Sequence, residues 1–188
     1  MKYIIASDIH GSARYCRELI SAWEREKADR LILLGDVLYH GPRNDIPEEY
    51  CPKAVTAMLN ERADSIFAVR GNCDAEIDQT VLHFPLSADY ALLSYEKSII
   101  FLTHGHIYHE EAMPPLHTGD VLVHGHTHVD QCRNVGGVTV LNPGSVSMPK
   151  ENSVRGYMTF EAGLFRFKTL DGREYRRYTL GEKQHEAV

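Results

Sequence analysis

The sequence lacks both a long hydrophobic run and a paired-cysteine motif. Its uncharged apolar runs are short, such as Leu31–Leu34, whereas a membrane-spanning helix needs about 20 apolar residues. Asp8 interrupts the apolar beginning of the chain, which argues against a signal-peptide core there. The four cysteines form no C-x-x-C pair, so the sequence favours neither a disulfide framework nor a thiolate zinc site. We therefore expect a reduced, cytoplasmic protein.

Positive charge is also in short supply. Lys and Arg number 20 against 26 Asp and Glu, which gives a formal net charge of −6. A domain that binds nucleic acid through its phosphates is normally basic, so we expect no nucleic-acid duplex and no membrane as a partner. With 188 residues, 43% of them hydrophobic, the composition is that of one globular domain. We predict a single domain over 1–180 and a flexible tail over 181–188, and leave open whether the chain forms a homo-oligomer.

The first seventy residues alternate between strand and helix patterns. Apolar runs at Tyr3–Ala6, Leu31–Leu34 and Ser65–Val69 predict strands, and helical periodicity covers Ala13–Lys27 and Lys53–Asn60. Such alternation is typical of a parallel sheet with crossover helices.

The second half of the chain contains mainly strand patterns. These are Tyr90–Tyr95, Ser98–Thr103, Asp120–His124, Val138–Leu141, Tyr157–Phe160, Leu164–Leu170 and Tyr175–Leu180. Together the two halves predict an α/β fold in which two mixed β-sheets pack as a sandwich flanked by helices.

Histidine is abundant, with 11 in the chain, and its distribution follows the predicted strands. Five apolar runs are each followed directly by polar groups that bind metals or carry protons. These groups are Asp8-Ile9-His10-Gly11, Gly35-Asp36, Gly71-Asn72-Cys73-Asp74, His104-Gly105-His106 and His124-Gly125-His126-Thr127-His128. Ligands of α/β sheets bind outside the carboxyl ends of the strands, so we expect these groups to converge on one site.

The candidate ligands are two carboxylates, one amide oxygen and four imidazoles. They are Asp8, Asp36, Asn72, His10, His104, His126 and His128. A mixed nitrogen and oxygen set suits divalent transition metals better than Mg²⁺ or Cu⁺, and Mn²⁺ is our first choice before Zn²⁺, Fe²⁺ or Ni²⁺. Seven donors are too many for one tetrahedral ion but fit two ions that share a carboxylate, the arrangement of two-metal phosphoryl-transfer sites.

In this order the five groups resemble the sequence blocks of the calcineurin-like metallophosphoesterases. The resemblance runs from residue 3 to about residue 148. Two further segments, Gly35–Arg43 and Leu141–Ser145, are similar to the small bacterial phosphodiesterase branch of that superfamily, which is related in fold to vacuolar sorting protein 29.

The resemblance implies a division of the seven ligands between two metals. Asp8, His10 and His128 would hold the first ion, and Asn72, His104 and His126 the second. Asp36 would bridge them. It also implies the family's four-layer fold, a metal-bridging hydroxide as nucleophile, and hydrolysis of a small phosphate diester.

One position departs from the family pattern. Many members have a histidine in the third block that protonates the leaving group, and Cys73 stands there. A neutral thiol is a poor proton donor, so Cys73 is either a weak catalytic group or a small filler. His106 is the first alternative acid and His40 the second. In a Cys73→His variant we expect the neighbouring Asp74 to orient the new imidazole.

Several other polar residues have two open interpretations. We expect His124 to be packed in a strand rather than to bind metal. The Asn142–Ser145 segment either closes the wall of the site as a turn or contacts a phosphate oxygen. Arg43 and Arg70 are either exposed cations or partners of a second phosphate group.

Two competing functions follow from the same fold. A protein-interaction scaffold would have lost metal ligands, whereas all seven positions carry competent residues. A phosphomonoesterase or protein phosphatase needs a proton donor for alkyl leaving groups, and Cys73 replaces it. We therefore favour a metal-dependent phosphodiesterase.

Overall fold

A computed structural model describes residues 1–181, so the predicted tail lies almost entirely outside the described part. The two α-helices are α1 (Ala13–Glu26) and α2 (Pro52–Asn60), with short 3-10 turns at Ala63–Ser65 and Glu76–Thr80. The strands are β1 (Tyr3–Ala6), β2 (Arg30–Leu33), β3 (Ile66–Ala68), β4 (Tyr90–Tyr95), β5 (Ser98–Thr103), β6 (Val121–Val123), β7 (Asp130–Val135), β8 (Val138–Pro143), β9 (Gly156–Glu161), β10 (Leu164–Thr169) and β11 (Glu174–Thr179).

The strands form two mixed sheets, as predicted. The first has the order β11-β10-β9-β1-β2-β3 and the second the order β4-β5-β6-β8-β7. Strands β1, β2 and β3 are parallel, as are β5, β6 and β8, and the remaining neighbours pair antiparallel. Each parallel set delivers its carboxyl ends to one edge of its sheet.

The central strands of the first sheet are buried on both faces, which explains their continuous apolar sequences. Ile4 and Leu31 point to a core that includes Leu19 of α1 and Leu59 of α2. The alternate residues of the same strands, such as Ile5, face a second core between the two sheets. Both helices therefore cover one side of the sandwich.

The outer face of the second sheet is covered by a loop instead of a helix. Phe101 and Leu122 pack there against Tyr108, Met113 and Leu116. The four-layer arrangement thus has helices on one outer side and an extended segment on the other.

One strand was absent from the predicted set. β7 has the polar sequence DQCRNV and is paired on one side only, with β8. An edge strand buries little surface, so it does not need apolar alternation. The turn that joins it to β8 is formed by Gly136 and Gly137, both with positive φ, as a tight hairpin requires.

None of the helices within residues 1–181 has the length and apolar character needed to cross a membrane.

Candidate metal centre

The seven predicted ligands follow five different strands, and the backbone turns sharply at most of them. Asp8, His10, Asp36, His126 and His128 all have φ between 49° and 66°. Non-glycine residues avoid this left-handed region, and its use clusters at functional sites where the surrounding structure holds the strain. The tight turns aim side chains from separate loops at one point.

Two glycines let these loops approach one another. A Cβ on Gly71 would lie 2.1 Å from Asp36 Oδ1, and a Cβ on Gly125 would lie 1.9 Å from Ser7 Oγ. Any side chain at either position would push the strand-end loops apart. The backbone N–H of His126, which follows Gly125, donates to Asp8 Oδ2 at 3.0 Å and so joins the two sheets at the site.

Asp8, His10 and His128 form the first ligand triad, and all three are buried. The Nε2 atoms of the two histidines lie 3.2 Å apart. Asp8 Oδ1 lies 3.4 Å from His10 Nε2 and 3.2 Å from His128 Nε2, yet this buried oxygen has no hydrogen-bond partner among the described residues. Three electron-pair donors that converge in this way suit a cation between them.

Asp36, His104 and His126 form the second triad. His104 Nε2 lies 3.2 Å from His126 Nδ1 and 3.0 Å from the amide oxygen of Asn72. Asp36 Oδ2 lies 3.3 Å from His104 Nε2 and 3.6 Å from His10 Nε2. The carboxylate of Asp36 therefore stands between the two triads.

Backbone carbonyls fix the orientation of three of the imidazoles. His10 Nδ1 is 2.8 Å from the carbonyl oxygen of Tyr39, His104 Nδ1 is 2.7 Å from that of Leu34, and His128 Nδ1 is 2.7 Å from that of Met148. A carbonyl oxygen only accepts, so each Nδ1 carries the proton that it donates. When the ring is neutral, the lone pair of Nε2 is therefore aimed into the site, as a metal ligand requires.

The pKa values show how strongly these groups interact. Burial disfavours the ionised carboxylate of Asp8, but the nearby His10 and His128 hold its pKa well below the usual value. Burial likewise opposes protonation of His104, while Asp36 and Asp8 raise its pKa to about 9. Burial and the charge of His104 lower the pKa of His126 to about 4. In the absence of metal the cluster therefore holds a proton on His104 at neutral pH.

The family assignment follows from the sequence match at this site. Residues 1–163 match the calcineurin-like phosphoesterase superfamily domain. The chain belongs to this superfamily. The resemblance inferred from the five sequence blocks is thereby confirmed.

Relatives include a bacterial enzyme of similar size. The chain is 47% identical over 157 residues to phosphodiesterase YfcE of Escherichia coli strain K12, a match that covers 84% of this chain and 85% of that protein. The solved structure of the E. coli phosphoesterase YfcE superposes with a TM-score of 0.92 at 42% identity and covers 96% of this chain and 100% of its own.

A more distant likeness concerns the fold alone. The structure of Entamoeba histolytica Vps29 in complex with zinc superposes with a TM-score of 0.61 at 20% identity, over 96% of this chain and 100% of that one. The expected fold relationship to vacuolar sorting protein 29 is therefore confirmed.

Asp74 organises the backbone beside the site of this phosphoesterase. Its carboxylate accepts hydrogen bonds from the backbone N–H groups of Asp36, Val37 and Gly71, at 2.8, 2.8 and 2.7 Å. Both oxygens are thus engaged, and the side chain is buried. The carboxylate thereby holds the loop of Asp36 against Gly71. Orientation by Asp74 of an imidazole introduced at position 73 stays a prediction.

Cys73 lies beside the first triad and is half-buried. Its backbone N–H donates to Asp36 Oδ1 at 2.8 Å, and the Asn72 amide nitrogen lies 3.2 Å from its sulfur. Burial, together with the negative charge of Asp36, raises the pKa of the Cys73 thiol to about 12. In the absence of metal the sulfur is therefore a neutral thiol at neutral pH, which makes it a poor proton donor.

The two alternative acids occupy different surroundings. The His106 ring lies 5.4 Å from that of His104 and 6.3 Å from that of His126, and burial followed by the charge of His104 lowers its pKa. His40 instead packs edge-on against Tyr39 and Tyr50, at 4.8 and 5.0 Å between ring centroids. A catalytic role for His106 or His40 stays a prediction.

The segment from Asn142 to Ser145 closes the wall of the site. The Asn142 side chain donates to the Gly125 carbonyl oxygen at 2.8 Å and accepts from the Gly144 N–H at 2.8 Å. The Ser145 hydroxyl donates to the Asp8 carbonyl oxygen at 2.9 Å. Both side chains are fully buried, so the structure supports the turn and not the phosphate contact. Ser147 donates to the same Asp8 oxygen at 3.0 Å, a contribution that sequence reasoning missed.

His124 is packed, as predicted. It is buried in the structure, and its Nδ1 lies 3.1 Å from the Gly125 carbonyl oxygen. On the other side its Nε2 lies 3.4 Å from Glu110, which also pairs with Arg133. His124 therefore supports the loop that carries His126.

A cavity of about 750 Å³ opens beside the two triads. Its lining includes Asp36, Cys73, His126 and His128 from the site, together with Tyr39, Arg43 and Lys150 from the surrounding loops. Arg70 does not line this cavity and instead pairs with Asp89, its Nε lying 3.1 Å from Oδ1. Of the two arginines considered from the sequence, only Arg43 lines this cavity.

Proposed function

We propose that this phosphoesterase is a binuclear-metal phosphodiesterase that hydrolyses small phosphate diesters. The observation that carries the proposal is the position of Asp36, whose Oδ2 lies within 3.6 Å of one imidazole from each triad. A shared carboxylate between two ligand sets is what a two-metal site needs. The 47% identity to a protein named phosphodiesterase YfcE supports the diester as substrate.

The donor set fits divalent transition metals. Asp8, His10 and His128 would hold one ion, Asn72, His104 and His126 the other, and Asp36 both. The unpartnered buried oxygen of Asp8 supports this fit, because a cation would satisfy it. Ions in such a site activate water as a nucleophile and neutralise charge on the phosphate, and imidazole-rich sites favour Mn²⁺, Zn²⁺, Fe²⁺ or Ni²⁺, with Mn²⁺ our first choice.

The protein's own residues set the geometry and the choice of substrate. Asp74 holds the Asp36 loop in place, and the carbonyl-anchored imidazoles are oriented in advance. The cavity gives the ester groups room beside the ligands. Cys73 keeps its proton at neutral pH, so this position gives little help to an alkoxide leaving group. The site is therefore suited to diesters with good leaving groups.

Metal analysis combined with two substrates tests the proposal. Untagged protein loaded with Mn²⁺ and freed of excess metal should hold two ions per chain and cleave bis(4-nitrophenyl) phosphate much faster than 4-nitrophenyl phosphate. Absence of both metal and turnover would favour the scaffold. Faster cleavage of the monoester would favour a phosphomonoesterase. Cytoplasmic location and homo-oligomerisation stay predictions from the sequence.

A further inference from the structure

We propose that Arg43 and Lys150 form an anion-binding subsite for a second phosphate group of the substrate. Both residues line the cavity beside the ligand triads. The inference rests on the proposed diesterase function and narrows its substrate class. The enzyme would prefer phosphodiesters that carry an additional phosphate on one of their two alcohol groups.

The two cations are not engaged elsewhere in the protein. Within residues 1–181, neither the Arg43 nor the Lys150 side chain forms a hydrogen bond or an ion pair. Arg70, a few residues from the ligand Asn72, shows the contrasting case, because its guanidinium pairs with Asp89. The chain has a net charge of −6. Two cations without a charged partner on the wall of one cavity therefore favour the binding of an anion there.

The acidic residues of the same cavity do not neutralise these cations. Asp36 stands between the two ligand triads. The carboxylate of Asp74 accepts hydrogen bonds from three backbone N–H groups. Both carboxylates are buried, whereas Arg43 and Lys150 are exposed. The cations therefore remain free to meet a ligand.

Both cations belong to loops that are tied to the metal ligands. Lys150 donates its backbone N–H to the carbonyl oxygen of His128 at 3.0 Å. The Arg43 loop begins at Tyr39, whose carbonyl oxygen accepts from His10 Nδ1 at 2.8 Å. Within the loop, the Asn44 side chain donates to the His40 carbonyl oxygen at 2.8 Å. Gly41 of this loop lies so close to Cys73 that an added Cβ would be 2.9 Å from the sulfur. Short loop connections of this kind position the two charges beside the reacting phosphate.

Charge counting identifies the ligand chemistry. A simple phosphodiester carries a single negative charge, and the metal centre already receives it. Arg43 and Lys150 add two positive charges to the same cavity, which matches the charge of a second, terminal phosphate. The cavity of about 750 Å³ is also within the range that holds ligands much larger than a bare diester.

The test measures binding of two probes that are not hydrolysed. Pentane bisphosphonate, with a phosphonate at each end, is compared with pentylphosphonate, which has one, by calorimetric titration of the Mn²⁺-loaded protein. We expect the bisphosphonate to bind about tenfold more tightly, since charge-assisted contacts to arginine and lysine are strong and screened by salt. The advantage should shrink in high salt.

Variants of the two residues test whether they cause the preference for the bisphosphonate. Arg43→Gln and Lys150→Gln should each reduce the preference for the bisphosphonate to about fourfold, and the double variant should reduce it to about twofold, the statistical advantage of two identical ends. Lys97→Gln removes the same charge from the exposed β4–β5 turn and should keep the full preference. Equal binding of both probes by the wild type, or an unchanged preference in the double variant, would overturn the subsite.

Turnover of bis(4-nitrophenyl) phosphate by the same wild-type preparation separates this result from failure of the proposed function. Normal turnover with equal binding of the two probes would reject the subsite alone. Loss of turnover, of metal and of both probes would reject the diesterase function and the subsite with it.

Discussion

Replacement of Cys73 by histidine tests which group donates a proton to the leaving group. The thiol keeps its proton at neutral pH because burial and Asp36 raise its pKa to about 12. An imidazolium at the same position is a far stronger acid and, with the cavity beside it, has space for its ring. We expect Cys73→His to accelerate hydrolysis of alkyl diesters and to leave activated aryl diesters nearly unchanged, because aryl oxides depart without protonation.

The size of the rate acceleration follows from the difference in pKa between an imidazolium and the Cys73 thiol. An ordinary imidazolium, with a pKa of about 6.5, is stronger than this thiol by about 5.5 in pKa, given the value of about 12 for Cys73. With a Brønsted coefficient of about 0.5 this difference is worth a factor of roughly 500 when the imidazole is protonated. At pH 7.5 only about one tenth is protonated, so we expect an acceleration of about 50-fold.

The assay is a plot of log kcat/KM against leaving-group pKa for three proteins. Wild type and a Cys73→Ala control should both show a steep slope, because a thiol with so high a pKa supplies almost no proton. Cys73→His should flatten it. If the line for Cys73→His ran parallel to that for wild type, the reasoning would be refuted. The acid would then lie elsewhere, with His106 as the first candidate. A flatter slope in wild type than in the alanine control would show that the thiol itself donates.

Three further predictions concern the metal centre. Asp36→Asn should weaken both metal sites together and lower turnover of bis(4-nitrophenyl) phosphate at least about 100-fold, as judged by elemental analysis and kinetics; two tightly held ions with normal turnover would disprove bridging. Asp74→Asn leaves one acceptor oxygen for three backbone donors and should cost about 2–4 kcal/mol of unfolding free energy in urea; an unchanged midpoint would contradict its role in holding the Asp36 loop. The folded-state pKa of His104, about 9, exceeds the ordinary 6.5. Its protonation therefore stabilises the metal-free chain fully below pH 6.5, and this stability is lost as pH rises through 9. Binding of Mn²⁺ near pH 7.5 should accordingly release about one proton from this site, measured by calorimetry in buffers of different ionisation enthalpy, and absence of proton release would contradict the raised pKa.

Much of the site was predictable because its residues follow strand ends in short, rigid motifs. Asp8 and His10 come directly after β1, and His126 and His128 directly after β6. The carboxyl ends of parallel strands meet at one edge of a sheet, so proximity within each sheet follows from local sequence. The polar strand β7 was missed for the opposite reason, since an edge strand carries little hydrophobic pattern.

The amino-acid sequence by itself determined the strand-rich α/β fold, the family and the ligand types. Buried strands accept only apolar residues, and the strained turns at the strand ends restrict which residues can carry the ligand groups. The tertiary structure decided what depends on distance between loops far apart in the chain. It showed that Asp74 accepts hydrogen bonds from three backbone N–H groups. It also showed that Arg70 is paired with Asp89 while Arg43 faces the cavity. Such partnerships arise from how separate loops pack, and no local pattern of residues encodes them.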